Sequence, residues 1–560
     1  MSAANTGKKP FIDRFNGWTM VTLVLLILIL IFIVYPFSNL LLSSVSEEEG
    51  GGYTFQHYAK FFASRYHRQS LINSFKVSFG ATALSVLIGL PMAYFTSRYF
   101  LRGKRLIDNL CIIAMLSPPF IGAYSWILLL GRNGFITRGI RELTGFQLPS
   151  IYGFSGIMLV FTLKLFPFVY LYVSGALRSM DASLEEAAES LGMSGFRKLT
   201  TITFPLILPT ILSSALMVFM TSLADFGTPA LIGEGFRVLP VSIYNEYLNE
   251  MGGNAAFASA LSVVMIMVAM IVLILQKKAI SGRSYHMSGL REPKRKCFGP
   301  ISGILAHIFV YAVAIMAILP QITVAVTSFI KTKGPVFQSG FGLNSYTEAF
   351  SKMGVAIRNS FIFSIAAIII MILGALLLSY LVVRRSSKLT NFIDMLAMFP
   401  YIIPGAVIGI MLANAFNSPP LMLSGTASIL VISYVIRKLP FTLRSSVGIL
   451  YQIESSVEEA SISLGVPPMR TFFKITARLM LPGVVSGAIL SWIASINELS
   501  STMILFTGRT QTISVAIFTE VTSTARFGTA AALATILTVV TIGSLWLANR
   551  LSGGKISITG

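Results

Sequence analysis

Residues Ser183 to Pro209 read SLEEAAESLGMSGFRKLTTITFPLILP, and the pattern returns at Ser456 to Pro482 as SVEEASISLGVPPMRTFFKITARLMLP. Corresponding anchors, such as Gly192 and Gly465, stand one constant offset of 273 positions apart (465 − 192). The offset holds for the motif and for its flanks. The repeat therefore divides the chain into two similar halves.

Each copy begins with a helix-start signal. Ser183 precedes Glu186 by three positions, and Ser456 precedes Glu459 by the same spacing (459 − 456), which is the capping-box pattern. The glycine that follows is typical of a helix end. We therefore predict a short helix of about two turns in each copy, which needs packing against another surface because it is too short to be stable alone.

The order Glu-Ala-Ala, then glycine, then isoleucine and a final Leu-Pro resembles the EAA loop of binding-protein-dependent ABC import permeases. The resemblance implies a cytoplasmic coupling helix near residues 183–192 and another near 456–465, each docking in a groove on an ATP-hydrolysing subunit. The second copy departs from the family at Ser461, where alanine is usual. The residues to which the resemblance gives this coupling role are Glu185, Glu186, Ala187 and Gly192, with Glu458, Glu459, Ala460 and Gly465. Apolar residues of the same helices, which would form the docking face, are Leu184, Ala187, Ala188 and Leu191, with Ala460 and Leu464.

The composition indicates an integral membrane protein. Of the 560 residues, 54% are apolar and 12% are charged, against roughly 45–50% and 25% in globular domains. The net charge of +21 is attributed to cytoplasmic loops rather than to nucleic-acid binding, because membrane proteins concentrate Lys and Arg there. Cys111 and Cys297 lie in no disulfide or ligand spacing, so neither a metal site nor a bound cofactor is expected.

Twelve windows are long and apolar enough to cross a bilayer. We predict an all-α polytopic fold of two parallel six-helix repeats, which the resemblance identifies with the type I ABC importer permease fold. The first window is too long for a signal-peptide core and is expected to remain as an anchor. The windows are 18–41, 73–95, 107–130, 153–176, 206–226, 256–276, 301–329, 359–383, 393–415, 427–449, 482–505 and 529–549.

We divide the chain into a first permease half (1–276), a basic linker (277–299) and a second permease half (300–560). The excess of basic residues in the linker places it in the cytoplasm. We expect both termini there too, with the protein in a bacterial inner membrane. The basic residues that agree are Lys8, Lys9 and Arg14 at the N-terminus, Lys277, Lys278, Arg283, Arg291, Lys294, Arg295 and Lys296 in the linker, and Arg98, Arg102, Lys104, Arg105, Arg384, Arg385 and Lys388 after two spans. Outer loops carry acids instead, namely Glu47, Glu48 and Glu49, and Glu234, Glu246 and Glu250.

The duplication extends beyond the opening motif. Asn73-Ser74-Phe75 matches Asn359-Ser360-Phe361 at an offset of 286 (359 − 73), and Tyr94 matches Tyr380 at the same offset. Both motif copies lie on one face, so the repeats are related by an axis along the membrane normal. The chain resembles two permease subunits fused head to tail.

No G-x-x-x-x-G-K-[ST] phosphate loop occurs in the sequence, so this chain is not expected to hydrolyse ATP. ATP and Mg are expected on two copies of a partner ATP-binding subunit at the cytoplasmic face. The resemblance implies a second partner, an extracytoplasmic substrate-binding protein. The remaining partner is the lipid bilayer.

Two pairs of ionisable residues stand within the predicted spans. Asp225 and Glu498 are matched (498 − 225 = 273), and two acids lining a route would lower the energy of a cation in it. The alternative is a structural or gating role. Lys164 and Lys438 are also matched (438 − 164 = 274), and for them we favour a structural role that braces a gate beside a proline.

Prolines interrupt the third span of each half. Pro118 and Pro404 correspond at the offset of 286 (404 − 118). Proline removes a backbone donor and kinks a helix, which is tolerated in a membrane where a neighbour or a cavity satisfies the freed carbonyl. These prolines are candidates for the border of a pathway, although proline is also ordinary in transmembrane helices.

The substrate is indicated by resemblance alone. The segments Ser222 to Tyr244 and Glu498 to Phe518 resemble the iron(III) importer permeases, which implies iron(III). Thiamine, phosphonate, hexose phosphate and polyamine permeases of the same subfamily remain alternatives. A secondary transporter with parallel repeats is the competing class, but it would not need two matched coupling helices. A membrane enzyme is disfavoured because the four histidines show no H-x-x-x-H arrangement.

Overall fold

The computed structural model describes residues 17–47, 52–248, 253–280, 295–334 and 336–551. Several sequence predictions therefore concern residues outside the described part of the chain. They are the cytoplasmic position of both termini and of Lys8, Lys9 and Arg14, the outer acids Glu48, Glu49 and Glu250, and the linker residues Arg283, Arg291, Glu292 and Lys294.

The first half is built from twelve helices. They are α1 (Gly17–Ser43), α2 (Gln56–Ala63), α3 (Arg65–Arg98), α4 (Lys104–Leu116), α5 (Pro119–Leu130), α6 (Phe135–Thr144), α7 (Phe154–Ser179), α8 (Ala182–Ser190), α9 (Gly195–Ala224), α10 (Gly227–Ile232), α11 (Leu239–Tyr247) and α12 (Ala255–Ile280).

The second half repeats this order and inserts a hairpin after its first span. Its elements are α13 (Pro300–Phe329), β1 (Ile330–Lys333), β2 (Val336–Phe341), α14 (Asn344–Arg384), α15 (Lys388–Met398), α16 (Gly405–Ala415), α17 (Ala427–Gln452), α18 (Ser456–Ser463), α19 (Pro468–Ile496), α20 (Thr502–Leu505), α21 (Ile513–Thr522) and α22 (Phe527–Leu551). The two strands are antiparallel, and the sequence analysis does not predict them.

Within the described residues, nine helices are long and apolar enough to cross a membrane, and two bent helix pairs raise the number to eleven. Ten of the predicted windows fall on α1, α3, α7, α9, α12, α13, α14, α17, α19 and α22, and the other two fall on the bent pairs. The helix outside the count is α17, a 26-residue helix. It contains Arg437, Lys438 and Arg444, so it has the length of a span but an unusual charge. The predicted fold class is confirmed, with nine to eleven spans by length and composition rather than twelve.

The third span of each half is broken, as the prolines predict. The chain bends by 102° between Lys104–Leu116 and Phe120–Thr144, and by 112° between Lys388–Tyr401 and Gly405–Ala415. Pro118 and Pro404 stand directly before α5 and α16 in extended backbone. A proline fits this position because the first turn of a helix does not need its missing N–H.

The repeat also shows in a local irregularity. A five-residue π-helical turn occupies Leu199–Thr203 in α9 and Phe472–Thr476 in α19, again 273 positions apart (472 − 199). Each turn lies directly after the short helix of its half. Such turns are rare and frequently occur at functional sites.

The first span of the first half packs on the second half. Trp18 of α1 stacks on Tyr380 with ring centroids 4.4 Å apart and meets Phe472 edge-on at 5.0 Å. Farther along α1, the Tyr35 hydroxyl donates to the Ala415 carbonyl at 3.2 Å. The core around α16 and α17 includes buried residues of α1 such as Leu40.

The first span of the second half packs reciprocally on the first half. The Ser125 hydroxyl donates to the Pro320 carbonyl of α13 at 2.8 Å, and Tyr311 of α13 donates to the Arg102 carbonyl at 2.7 Å. The two halves thus exchange their first spans. Neither half buries its core without the other.

Both short helices, α8 and α18, lie at one end of the bundle, which we name the coupling face; the opposite end is the distal face. Helix α1 begins beside Phe472, near α18, and runs to the distal face. There the ring centroids of His57 in α2 and Phe257 lie 6.4 Å apart. Phe257 begins α12, which leads back to the linker, and Lys296 of the linker contacts Glu189 of α8.

Candidate functional site

The two short helices begin differently from the predicted capping box. Asp181 precedes α8 and accepts a hydrogen bond from the Ser183 backbone N–H at 2.9 Å, so Ser183 is already inside the helix. Ser455 precedes α18 without a side-chain cap, and the Ser456 hydroxyl donates to Glu454 at 3.1 Å. The capping-box prediction is wrong in both copies. In the first copy the Asp181 side chain takes the role given to the serine, and the second copy has no side-chain cap.

The predicted helix ends are confirmed. Gly192 has φ +74° and Gly465 has φ +84°, the left-handed region that glycine enters without steric cost. Met193 N–H donates to the Ala188 carbonyl at 3.1 Å, and Val466 N–H donates to the Ser461 carbonyl at 3.2 Å. These bonds form a Schellman motif in each copy. The two helices are therefore stopped at the same point by the same geometry.

The two helices expose an apolar surface on the coupling face. Leu191 and Leu464 are 83% and 85% exposed, and Leu184 is 47% exposed. Ala187 and Ala460 are exposed, as are Glu186 and Glu459. Ala188 is buried, so its predicted place on the docking face is wrong. Exposed leucines on two matched helices mark a protein-binding surface.

The other two glutamates of the motif are turned into the chain. Glu185 Oε1 lies 2.7 Å from Arg98 Nη2, at the end of α3. Glu458 Oε1 lies 3.1 Å from Arg384 Nε, at the end of α14, and Glu458 also accepts from the Tyr380 hydroxyl at 3.1 Å. Glu185 and Glu458 thus anchor the short helices to the second spans, while the neighbouring glutamates face outward.

The sequence analysis missed the partners of these glutamates. It treats Arg98 and Arg384 only as charges that set topology. A signal was present, because the two arginines are 286 positions apart (384 − 98) and so share the offset of Tyr94 and Tyr380. The position of an arginine in a repeat does not by itself tell which acid it contacts.

A further ion pair ties α8 to the linker. Glu189 contacts Lys198 and lies 2.6 Å from Lys296 Nζ. Hydrogen bonds from these two lysines lower the pKa of Glu189 to about 2, and the bond to Glu189 raises the pKa of Lys296. Ile462 occupies the matching position in α18 (462 − 189 = 273). This tie therefore belongs to the first half.

A buried charged cluster surrounds Glu498, just after α19. Its side chain is 5% exposed, contacts the Arg437 guanidinium, and lies 3.0 Å from Lys438 Nζ. Its Oε1 atom also accepts from the Ser501 backbone N–H at 3.2 Å. One carboxylate thus meets two cations and a backbone donor, which a buried charge requires.

The first half repeats this cluster with one cation fewer. Asp225 accepts from the Thr228 backbone N–H at 2.9 Å, and the charge of Lys164 acts on it favourably. Leu163 stands at the position that matches Arg437 (437 − 163 = 274). Across both halves the cluster contains three basic and two acidic side chains.

The two acids lie close to the interface between the halves, where residues next to them meet. A Cβ added to Gly227 would lie 2.9 Å from Leu499 Cδ2, and Phe226 lies 5.9 Å from Phe518. Glu498 also acts electrostatically on Asp225. The chain segments directly after the two acids therefore meet at this level of the bundle.

Both broken third spans adjoin the same cluster. Pro118 and Lys164 line one small cavity of about 20 Å³ together with Ser117 and Gln321, which is room for about one water. In the second half, a Cβ added to Gly405, next to Pro404, would lie 2.6 Å from Arg437 Nη1. The structure therefore brings the six predicted pathway residues into one region: Asp225, Glu498, Lys164, Lys438, Pro118 and Pro404.

No group of three or more His, Cys, Asp or Glu side chains gathers in this region or elsewhere among the described residues. The charged cluster can instead neutralise, hold or repel a passing ion.

Similar proteins agree with this architecture. The chain is 29% identical over 538 residues to the ferric transport system permease protein FbpB of Actinobacillus pleuropneumoniae, covering 94% of this chain and 77% of that protein. It is 28% identical over 513 residues to the putative ferric transport system permease protein FbpB 1 of Haemophilus influenzae, covering 89% and 79%. The molybdenum transport system permease protein ModB of Escherichia coli is 30% identical over 213 residues, which is 37% of this chain and 91% of that protein.

One family model matches the chain twice, at residues 85–283 and 370–553. Each match contains one short helix of the coupling face and one acid of the buried cluster. Together the matches span more than half of the chain. This multi-pass membrane protein therefore belongs to the family of binding-protein-dependent transport system inner membrane components, with two permease units in one chain.

Proposed function

We propose that this chain is the permease subunit of an ATP-driven importer of iron(III). The substrate assignment rests on the similarity to two permeases named for ferric transport. This similarity extends over 94% and 89% of this chain. The similarity includes both short helices and both buried acids. Iron is the cargo in this proposal, not a resident cofactor.

The coupling face receives two ATP-binding subunits, one on α8 and one on α18. The exposed leucines Leu191 and Leu464 supply matching apolar contacts, and Glu186 and Glu459 supply charges beside them. An amphipathic helix laid into a groove is a common recognition mode. ATP and Mg belong to those subunits, and this chain hydrolyses nothing.

The orientation follows from the basic residues. The coupling face carries Arg98, Arg102, Arg105 and Arg384, so it is the cytoplasmic face. The distal face receives a substrate-binding protein, and both termini lie in the cytoplasm of a bacterial cell whose inner membrane holds the protein.

The buried charged cluster acts as the gate of the pathway. Lys438 and Arg437 pair with Glu498, and Gly227 packs closely against Leu499, which supports a closed gate at this level. Separating the halves at this contact opens the route and exposes both carboxylates. Two carboxylates then face the cation, which lowers the energy of its passage.

A second candidate is an anionic cargo. Arg437 gives the cluster one more cation than acid, and a net positive constriction favours anions. The similarity to a molybdenum transport permease covers one third of this chain, less than the ferric relatives cover. Iron(III) therefore remains the first proposal.

Reconstitution tests both cargoes. The chain is placed in liposomes with its ATP-binding subunit and its binding protein, and uptake of radioactive iron(III) and of molybdate is measured with and without ATP. We expect ATP-dependent uptake of iron(III) alone. Uptake of molybdate alone would refute iron(III) as the cargo and support the anionic cargo. Full uptake of either ion by the isolated chain without ATP would overturn the importer proposal.

A further inference from the structure

The second span of each half is fastened at two points. We propose that α3 and α14 are struts that carry movement from the ATPase-docking helices to the buried gate, with Arg98, Arg384, Ser74 and Ser360 as positioning residues. The inference rests on the proposed function and adds residues that the sequence motif does not contain.

The coupling-face end is fastened by an arginine in both halves. Besides its pair with Glu185, Arg98 donates to Met180 Sδ at 3.5 Å. Arg384 contacts Glu458 and also donates to the Ile453 carbonyl. Met180 and Ile453 match in the repeat (453 − 180 = 273). Each arginine thus holds the short helix and the loop that leads into it.

The distal end of α3 is fastened by an Asn-Ser pair. Asn73 Nδ2 donates to the Arg237 carbonyl at 3.0 Å, and the Ser74 hydroxyl accepts from the Leu239 N–H at 2.8 Å. Leu239 begins α11.

A point within α14, 15 positions after its first residue (359 − 344), repeats this arrangement. Asn359 Nδ2 donates to the Arg509 and Gln511 carbonyls at 2.9 and 3.0 Å, and Ser360 accepts from the Ile513 N–H at 2.7 Å. Ile513 begins α21. Two fastenings of the same chemistry at matched positions are not expected from packing alone.

The segments between the two fastenings have equal length in both struts. The fastening residues Asn73 and Arg98 are 25 positions apart (98 − 73). Asn359 and Arg384 are also 25 positions apart (384 − 359). At 1.5 Å per residue this is about 37 Å, enough to span the roughly 30 Å hydrocarbon core. Each strut therefore joins the coupling face to the distal face in a single helix.

The distal fastenings lead back to the gate. Tyr244 of α11 lies 4.7 Å from Phe226, next to Asp225. The Ser514 hydroxyl of α21 donates to the Ile496 carbonyl at 3.4 Å, two residues before Glu498. A shift of a strut therefore moves the segments that close the centre. The competing route runs directly through α9 and α19, which join each short helix to its acid along the chain.

Two variants test the struts in the complete importer. Arg98→Gln with Arg384→Gln releases the coupling-face ends, and Ser74→Ala with Ser360→Ala weakens the distal fastenings by removing the serine bonds. Arg138→Gln is the matched control, since it breaks the exposed pair with Glu142. Opening is read as the ATP-driven change in distance between spin labels at Glu234→Cys and Gly508→Cys, in a background with Cys297→Ser. Gly508 has open space around it, so a label there is tolerated.

We expect both strut variants to retain the ATPase subunit, to lose the distance change, and to transport about tenfold less substrate per ATP, within the usual range of coupling energies. The exchange Arg384→Glu with Glu458→Arg should restore both readouts in that half, which a general loss of stability would not allow.

If the arginine variant fails to assemble, the serine variant, which removes only hydroxyls, decides the outcome. A normal distance change and normal transport per ATP in the serine variant would overturn the inference and assign transmission to α9 and α19. Absence of uptake by the unmodified importer would instead refute the proposed function.

Discussion

Lys438 Nζ lies 3.0 Å from Glu498 Oε2 in the interior of the bundle, where the carboxylate side chain is 5% exposed. The matching pair of the first half is Lys164 with Asp225. The halves are thus alike in one matched lysine and acid and differ in Arg437, which has Leu163 as its counterpart. A single-chain permease can differ between its halves in this way, whereas two identical subunits could not.

Glu498→Gln is expected to destabilise the protein strongly. The change leaves Arg437 and Lys438 buried without their counter-charge, and removing one partner of a buried pair costs about 3–5 kcal/mol. The measurement is thermal unfolding in detergent. Glu234→Gln is the control, because it breaks an exposed pair with Arg132 that should contribute less than about 1 kcal/mol. Equal effects of the two changes would contradict a buried charged cluster.

Arg437→Leu is expected to be tolerated far better than Glu498→Gln. It gives the second half the residue of the first, and Glu498 keeps its pair with Lys438, so no charge is left alone. The cluster also becomes electrically neutral, which lowers repulsion of a cation. Iron(III) uptake should therefore be kept or increased, and thermal unfolding should stay close to that of the unmodified chain. A loss of stability as large as that of Glu498→Gln would show that Arg437 is the required partner.

The repeat made most of the fold predictable, because the offsets of 273 and 286 place whole spans as well as motifs. Helix ends were predictable where the backbone conformation strongly favours one residue type. Gly192 and Gly465 show this, because both positions have positive φ. The start of α8 was not predictable, since Asp181 and Ser183 can both cap a helix and only packing selects between them. The sequence motif likewise did not predict that Arg98 pairs with Glu185. Spacing within a helix does not show which charge another helix brings to it.

Gly465→Ala is expected to weaken docking of the ATPase subunit without unfolding the chain. Space around Gly465 is open, so the cost is the left-handed backbone at φ +84°, about 1–2 kcal/mol for a residue with a Cβ. That cost acts on the end of an eight-residue helix. Up to about tenfold weaker co-purification of the ATPase subunit should follow.

Gly448→Ala supplies the control for this prediction. Gly448 lies inside α17 with open space around it, and alanine is favoured over glycine in a helix. The change should therefore keep or raise stability and leave docking unaltered. If both variants dock normally, the geometry of the helix end does not matter for coupling.

The tie between Glu189 and Lys296 is expected to be independent of pH through the physiological range. The pKa of Glu189 is lowered to about 2, so its stabilising effect is present above the ordinary carboxyl pKa of about 4.3 and is lost only as the pH falls toward 2. The pKa of Lys296 is raised, so its contribution to stability is present below about pH 10.4 and is lost above that.

Hydrogen exchange at the Lys296 backbone N–H measures this tie, because that N–H donates to the Arg98 carbonyl at 2.8 Å. Its protection should stay constant from about pH 5.5 to 8 after correction for intrinsic rates. Glu189→Gln should lower that protection at every pH in the range, and added salt should lower it in the unmodified chain because Lys296 is exposed. A protection that changes near pH 6.5 would instead point to a histidine, and unchanged protection in Glu189→Gln would show that the backbone pairing of Lys296 with Arg98 holds the linker without the ion pair.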